Sequence, residues 1–165
     1  MRTPTTRRRA LAWSGAAAAG LLAGCSDGDS SAGSLGTEHS PVLRQAALRL
    51  RQGAARTSND LLAHYDAVLK KHPGEADRLA PLRAEVARQA KVLRGTGRAA
   101  PGTAPVTVPA ERDAAVRDLA DAAQRASDTH LAAVVRATPE LARLLASVAA
   151  AGAVHVYLLT DGDRK

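Results

Sequence analysis

Apolar residues recur along the chain with the 3.6-residue period of amphipathic helices, in four segments that prolines and glycines separate. The first segment begins at Ser40-Pro41, because serine is a favourable N-cap and proline suits the first helical position. It ends near His72-Pro73-Gly74, although Gly53 weakens its middle and a kink there is an open alternative. A second segment covers about residues 75–93, with Pro81 in its first turns. The pattern predicts two helices in this half of the chain.

The second half of the chain has the same organisation. A third helix is predicted from about residue 109 to about 137, and Thr138-Pro139 begins a fourth that runs to about residue 159. The predicted apolar stripe of the third helix includes Leu131 and Val135. The fourth helix is apolar on nearly every side, which predicts that it is the most buried of the four. Residues 95–109 are rich in glycine and proline and form a long connection.

An internal repeat supports this layout. His64 and Pro73 recur as His130 and Pro139, a shift of 66 residues. Each predicted pair of helices is therefore an αα-hairpin, and residues 95–109 join the two hairpins. The sequence predicts an all-α protein: a four-helix bundle over residues 41–160, made of two αα-hairpins joined by a long crossover.

The N-terminal region has the three parts of an export signal. Arg2 and Arg7-Arg8-Arg9 make a basic start with no acidic residue before Asp27, and residues 11–22 are apolar but too short to span a bilayer, which needs about 20 residues. The run Leu22-Ala23-Gly24-Cys25 then resembles the lipobox of bacterial lipoproteins at all four positions.

This resemblance implies cleavage after Gly24 and diacylation of Cys25, whose two acyl chains bind a membrane more stably than one. Residues 1–24 would then be a cleaved signal, residues 25–40 a tether rich in serine, glycine and aspartate, and residues 161–165 a short tail. The expected location is the extracytoplasmic face of the cell membrane. A chance cysteine after an ordinary signal peptide, or a buried structural thiol, is the alternative.

The arginines of the signal leave the export route open. Thr6-Arg7-Arg8-Arg9-Ala10-Leu11 resembles a twin-arginine motif in which Ala10 replaces the usual aromatic residue. A general-secretion signal also begins with positive charge, so Arg7 and Arg8 are compatible with either pathway.

Charge and aromatic content exclude some classes of partner. Four of the 23 basic residues and none of the 16 acidic ones precede Cys25, so 19 basic residues remain and the formal charge of the rest of the chain is +3. This balance is not that of a nucleic-acid-binding protein. Tyr65 and Tyr157 are the only aromatic residues after the signal, which argues against base stacking and against an aromatic-lined ligand cleft.

The layout resembles the ferritin-like fold, and in particular the ferritin-like lipoproteins of unknown function in high-GC Gram-positive bacteria. Di-iron members of that fold use a glutamate on two helices and Glu-x-x-His on the other two. Here Arg88 stands three residues after Glu85 in the second helix, where the motif has histidine. The corresponding run in the fourth helix, which begins at Ser147, contains no metal ligand. The sequence therefore predicts no di-iron site, and neither oxidase nor iron-storage activity.

A different metal site is an alternative. His130 and His155 are predicted on the inward faces of their helices, and His64 and Glu85 at the flanks of theirs. Three histidines and a carboxylate from four helices could bind zinc or copper. The simpler interpretation is that each histidine is hydrogen bonded at the edge of the core, since no two of them have the i, i+4 spacing.

Nothing in the sequence indicates catalysis. No Gly-x-Ser-x-Gly elbow is present, and Cys25 is assigned to lipid. Arg44, Arg49, Arg51 and Arg56 could form a basic strip for a partner, but on one helix they spread around the exposed faces. We therefore expect a non-catalytic binding or structural module without a cofactor, attached to membrane lipid through Cys25. Its protein partner is left open, and metal binding through the core histidines is the alternative.

Overall fold

A computed structural model describes residues 40–97 and 105–161 of the 165-residue chain. The described residues form four α-helices and a short 3₁₀ turn, Pro73–Glu75, without a β-strand. The helices are α1 (Pro41–Lys71), α2 (Ala76–Arg94), α3 (Arg112–Val134) and α4 (Pro139–Thr160). The predicted all-α four-helix bundle is confirmed. Several predicted segments lie outside the described residues: the export signal, the lipobox with Cys25, the tether before Ser40, part of the crossover and most of the C-terminal tail.

Proline and glycine set most helix boundaries as predicted. Ser40 and Thr138 occupy N-cap positions with extended backbone, each before a proline, although neither side chain makes a capping hydrogen bond. α2 ends at Gly95, whose φ of 59° lies in the left-handed region that favours glycine. α1 continues through Gly53 as one uninterrupted α-helix.

α3 begins later than predicted because the residues before it are held in an extended segment. The Val108 side chain is buried in the core, and its carbonyl oxygen accepts a hydrogen bond from Lys71 Nζ at 2.6 Å. The next carbonyl, of Pro109, is hydrogen bonded to His72 Nε2 at 3.1 Å. Contacts with the end of α1 thus fix this segment, and the helix starts at Arg112.

Hydrogen bonds between helices define the topology. Arg83 pairs with Asp66, and Arg51 with the Leu93 carbonyl, so α1 and α2 are antiparallel. Ser58 pairs with His130 and His64 with Asp118, so α1 and α3 are also antiparallel. α2 and α3 therefore run in the same direction, which requires a connection along the length of the bundle. The long segment between Gly95 and Pro109 meets that requirement.

The core consists of two apolar clusters. The larger cluster contains Tyr65, Leu79 and Leu119, and the smaller one contains Leu93 and Leu145; all five side chains are fully buried. Burial of a leucine side chain stabilises a fold by roughly 1.5–3 kcal/mol. Alanines fill much of the remaining interior.

Two predictions of burial are wrong. α4 is not the most buried helix, because it packs on α3 and more lightly on α2 and leaves its outer side in solvent. On α3, Leu131 is 60 % exposed. Val135, 88 % exposed, lies in the turn after α3, where the i→i+3 hydrogen bonds of Arg136 and Ala137 end the helix.

Candidate functional site

Several buried polar side chains, which we call the polar layer, are hydrogen bonded to one another or to the backbone in the interior of the bundle. Ser58 Oγ of α1 is hydrogen bonded to His130 Nε2 of α3 at 3.1 Å. Tyr65 OH of α1 is hydrogen bonded to His155 Nδ1 of α4 at 3.2 Å, with the two rings edge to face. Ser127 Oγ donates to the Ala149 carbonyl at 2.7 Å, which links α3 to α4. These contacts tie three helices together in the interior.

Burial keeps this layer uncharged. Desolvation lowers the pKa of His130, and it also lowers the pKa of His155, where the nearby Glu85 carboxylate opposes the effect. Desolvation raises the pKa of the Tyr65 hydroxyl. Both imidazoles are therefore neutral at neutral pH. His130 Nδ1 is buried and makes no hydrogen bond within the described residues.

The four predicted metal ligands lie in different surroundings. His130 and His155 are buried, as predicted, but their hydrogen-bond partners are a serine and a tyrosine. His64 pairs with Asp118 at 3.0 Å. Glu85 accepts hydrogen bonds from Arg88 and Gln89, and these lower its pKa.

Of these four residues, Glu85 and His155 lie close enough together for the charge of each to shift the pKa of the other. In the part of the chain that the structure describes, no three His, Cys, Asp or Glu side chains are grouped to hold a metal ion. The four residues therefore do not form one site.

A cleft of about 620 Å³ lies between α1 and the end of α2. Three arginines line it: Arg51 and Arg56 from α1, and Arg94 from the last turn of α2. We call it the arginine cleft. Its other lining residues are Leu48, Gln52, Ala55, Asn59, Leu93, Gly95, Thr96 and Gly97.

The end of α2 determines how Arg51 enters the cleft. Arg51 Nε donates to the Leu93 carbonyl at 2.8 Å, and Arg51 Nη2 donates to the Val92 carbonyl at 3.0 Å. Arg51 thus satisfies two terminal carbonyls of α2. A Cβ at Gly95 would lie 3.4 Å from Arg51 Nη2, so glycine leaves room for the guanidinium. The positive charge of Arg51 also interacts favourably with the negative, C-terminal end of the α2 dipole.

The charges of the arginine cleft are unbalanced. No aspartate or glutamate is among its lining residues, and neither Arg56 nor Arg94 forms an ion pair within the described chain. Arg94 Nε is buried there without a hydrogen-bond partner. Like charges in a partly desolvated cleft repel one another, and a bound anion would relieve that repulsion.

Sequence reasoning did not find this cleft. Arg44, Arg49 and Arg56 are exposed, as expected for a solvated strip, but Arg51 and Arg56 also line the same cleft as Arg94 of another helix. Arg51 and Arg94 lie far apart in the chain, and neither periodicity nor a motif relates them.

A second surface feature is the outer side of α4, which we call the α4 outer face. It carries the exposed residues Arg143, Ala146, Ser147, Ala150, Ala153, Val154, Tyr157 and Leu158. Among the described helices, Pro139–Thr160 is the one long and apolar enough to cross a membrane by length and composition, with a mean hydropathy of 1.6. Its inner side, however, packs within the bundle through Leu145 and His155.

Comparisons with protein-family models, curated proteins and solved structures found no match to this chain.

Proposed function

We propose that the chain is an exported lipoprotein, held at the outer face of the cell membrane through Cys25, whose helical bundle binds an anionic ligand without catalysing a reaction. The arginine cleft carries this proposal. Its lining combines three guanidinium groups with the apolar side chains of Leu48, Ala55 and Leu93.

The chemistry of the lining residues indicates the ligand class. Guanidinium groups present planar arrays of N–H donors that match phosphate and carboxylate oxygens. The apolar lining residues favour a hydrocarbon portion next to that anionic group. At about 620 Å³, the cleft has the volume of a typical small-molecule site. We therefore assign it an amphiphile with a phosphate or carboxylate head.

The buried histidines support binding in preference to catalysis. His130 and His155 are 2 % and 5 % exposed, are hydrogen bonded inside the bundle, and do not line the arginine cleft. A general acid or base must be within hydrogen-bond reach of the reacting group, and these two side chains are not available to a ligand in the cleft.

Sequence features support the anchor and the fold family. The lipobox pattern Leu22-Ala23-Gly24-Cys25 favours lipidation, and Arg7 and Arg8 favour export. The parallel α2 and α3 with a long crossover agree with a ferritin-like arrangement, in which one long connection joins two hairpins.

Membrane fractionation tests the anchor. We expect the wild type in the membrane fraction with incorporated palmitate, and Cys25→Ser in the soluble fraction or as unprocessed precursor without label. Ser26→Ala is the matched control and should behave as the wild type. A Cys25→Ser protein that was still processed, labelled and membrane-bound would overturn the anchor.

Calorimetric titration with octyl phosphate tests the cleft. Inorganic phosphate supplies the charge without the chain, and octyl glucoside supplies the chain without the charge, so both should bind more weakly. Replacing Arg56 and Arg94 by glutamine should weaken octyl phosphate binding at least tenfold, while Arg51 is kept because it holds the end of α2. Arg117→Gln, on an exposed part of α3, is the control. Equal binding of octyl glucoside, or an equal loss in Arg117→Gln, would contradict the proposal.

A further inference from the structure

The α4 outer face has a composition suited to helix pairing. Between Arg143 and Asp161, α4 contains no Lys, Arg, Asp or Glu. Val154 is 55 % exposed, Tyr157 62 % and Leu158 39 %. These larger residues occupy the C-terminal half of the face, whereas Ala146, Ser147 and Ala150 occupy the N-terminal half.

We propose that the α4 outer face binds the same face of a second copy of this chain, with the two α4 helices antiparallel around a twofold axis between Ala150 and Val154. A twofold axis brings each position of one helix against a position about equally far from the axis on the other. With about 100° of turn per residue, positions 150 and 154 lie close to the contact line, 146 and 157 lie on one side of it, and 147 and 158 lie on the other. Ala150 then contacts Val154 of the second copy, Ala146 contacts Tyr157, and Ser147 contacts Leu158.

Shape complementarity supports this register. Each contact joins a small residue of one helix to a large residue of the other, so the large side chains enter the spaces above the small ones. Small residues also allow the helix axes to approach to about 8 Å, the short end of the range for packed helices. A parallel pair in register would instead place Tyr157 against Tyr157 and Ala146 against Ala146, which leaves both crowding and gaps.

Charge complementarity supports the same register. Arg143 and Asp161 lie at equal distances on opposite sides of the axis, and the antiparallel pair brings each near its opposite charge on the other copy. Arg143 is exposed and makes no ion pair within the described residues. Asp161 accepts a 3.4 Å hydrogen bond from Thr160 Oγ1. A parallel pair would place like charges together.

Disulfide trapping tests the register, in chains whose only native thiol is removed by Cys25→Ser. A mixture of Ala146→Cys and Tyr157→Cys chains should form a mixed disulfide. Ala146→Cys alone should form little, because positions 146 of the two copies are about 18 Å apart along the axis, beyond the reach of a disulfide. Leu131→Cys, exposed on α3, is the collision control.

Sedimentation equilibrium tests the association itself. A contact between two helices is smaller than the roughly 800 Å² per partner of standard stable interfaces, so we expect a weak dimer that is measured up to the highest soluble concentration. Ala150→Glu should weaken it at least tenfold, whereas Ala132→Glu on the exposed part of α3 should not.

Charge exchange provides a test that does not depend on packing. Arg143→Asp or Asp161→Arg alone should weaken the dimer, and the two together should restore it. The antiparallel pair would be overturned by disulfides between two copies of position 146, or by trapping no faster than in the Leu131→Cys control. It would also be overturned by a wild type that is monomeric at every concentration, or by a double variant that does not restore the dimer. None of these tests depends on the lipid anchor or on the arginine cleft.

Discussion

A close approach of α3 to α4, at Ser127 and Gly152, gives a sharp prediction about stability. A Cβ added at Gly152 would lie 3.0 Å from Ser127 Cβ and 3.4 Å from its Oγ. Ser127 cannot turn away easily, because its hydroxyl donates to the Ala149 carbonyl at 2.7 Å and the side chain is buried. Gly152→Ala therefore requires either a shift of the two helices or the loss of this hydrogen bond.

The expected magnitude comes from two opposing effects. Alanine is favoured over glycine inside a helix by about 0.5–1 kcal/mol. Overpacking a filled interior costs about 1–3 kcal/mol, and losing a hydrogen bond costs about 1 kcal/mol. We expect Gly152→Ala to lower the free energy of unfolding by about 1–2 kcal/mol. Gly53→Ala is the matched control, because nothing lies within 4 Å of its added Cβ, and it should raise that free energy by about 0.5–1 kcal/mol.

Urea unfolding, followed by far-ultraviolet circular dichroism, measures both changes. Ser127→Gly removes the two nearest atoms that the new Cβ meets, so Gly152→Ala should cost less in that background than alone. If Gly152→Ala stabilised the wild type as much as Gly53→Ala does, the close contact between α3 and α4 would not exist in solution and the reasoning would be refuted.

Three further predictions concern the polar layer and the end of α2. Burial lowers the folded-state pKa of His130 and His155, so below about pH 6.5 the unfolded chain binds more protons than the folded one. The free energy of unfolding should therefore be highest above that pH and fall below it by up to about 1.4 kcal/mol per pH unit for each histidine. In His130→Asn, the urea midpoint should depend less steeply on pH than in the wild type. Tyr65→Phe removes the hydroxyl bonded to His155 and should lower the free energy of unfolding by about 1–3 kcal/mol, whereas the same change at the exposed Tyr157 should have no effect in dilute solution. Arg51→Ala removes two donors from the last carbonyls of α2 and should cost about 1–2 kcal/mol; an unchanged urea midpoint would show that the arginine does not cap that helix.

Local signals in the sequence predicted the helices well. Proline after Ser40 or Thr138 marks a helix start whatever the tertiary context, because the fixed φ of proline suits the first turn. Periodicity also placed His130 and His155 on inward faces correctly. The start of α3 was less accurate, since the Val108 and Pro109 carbonyls are held by side chains at the end of α1, a contact between distant parts of the chain.

The surfaces could not be predicted from periodicity. α4 is apolar around most of its circumference, and composition alone does not distinguish a fully buried helix from one with an exposed apolar side. The arginine cleft depends on Arg51 of α1 meeting the last turn of α2, a contact that only the fold creates. The partners of His64 and His130 are likewise Asp118 and Ser58, which sequence spacing does not connect to them.

The unequal lengths of the helices have a mechanical consequence. α1 has 31 residues and α2 has 19, so α1 is about 46 Å long and α2 about 28 Å. Since Arg51 already lies at the end of α2, the exposed residues 41–46 of α1 extend past its helical neighbours as a rod of about 10 Å. Force or torque applied upstream of Ser40 is therefore transmitted through a stiff helix directly into the core. The tilt of that rod sets the tilt of the whole bundle, and with it the direction in which the arginine cleft opens.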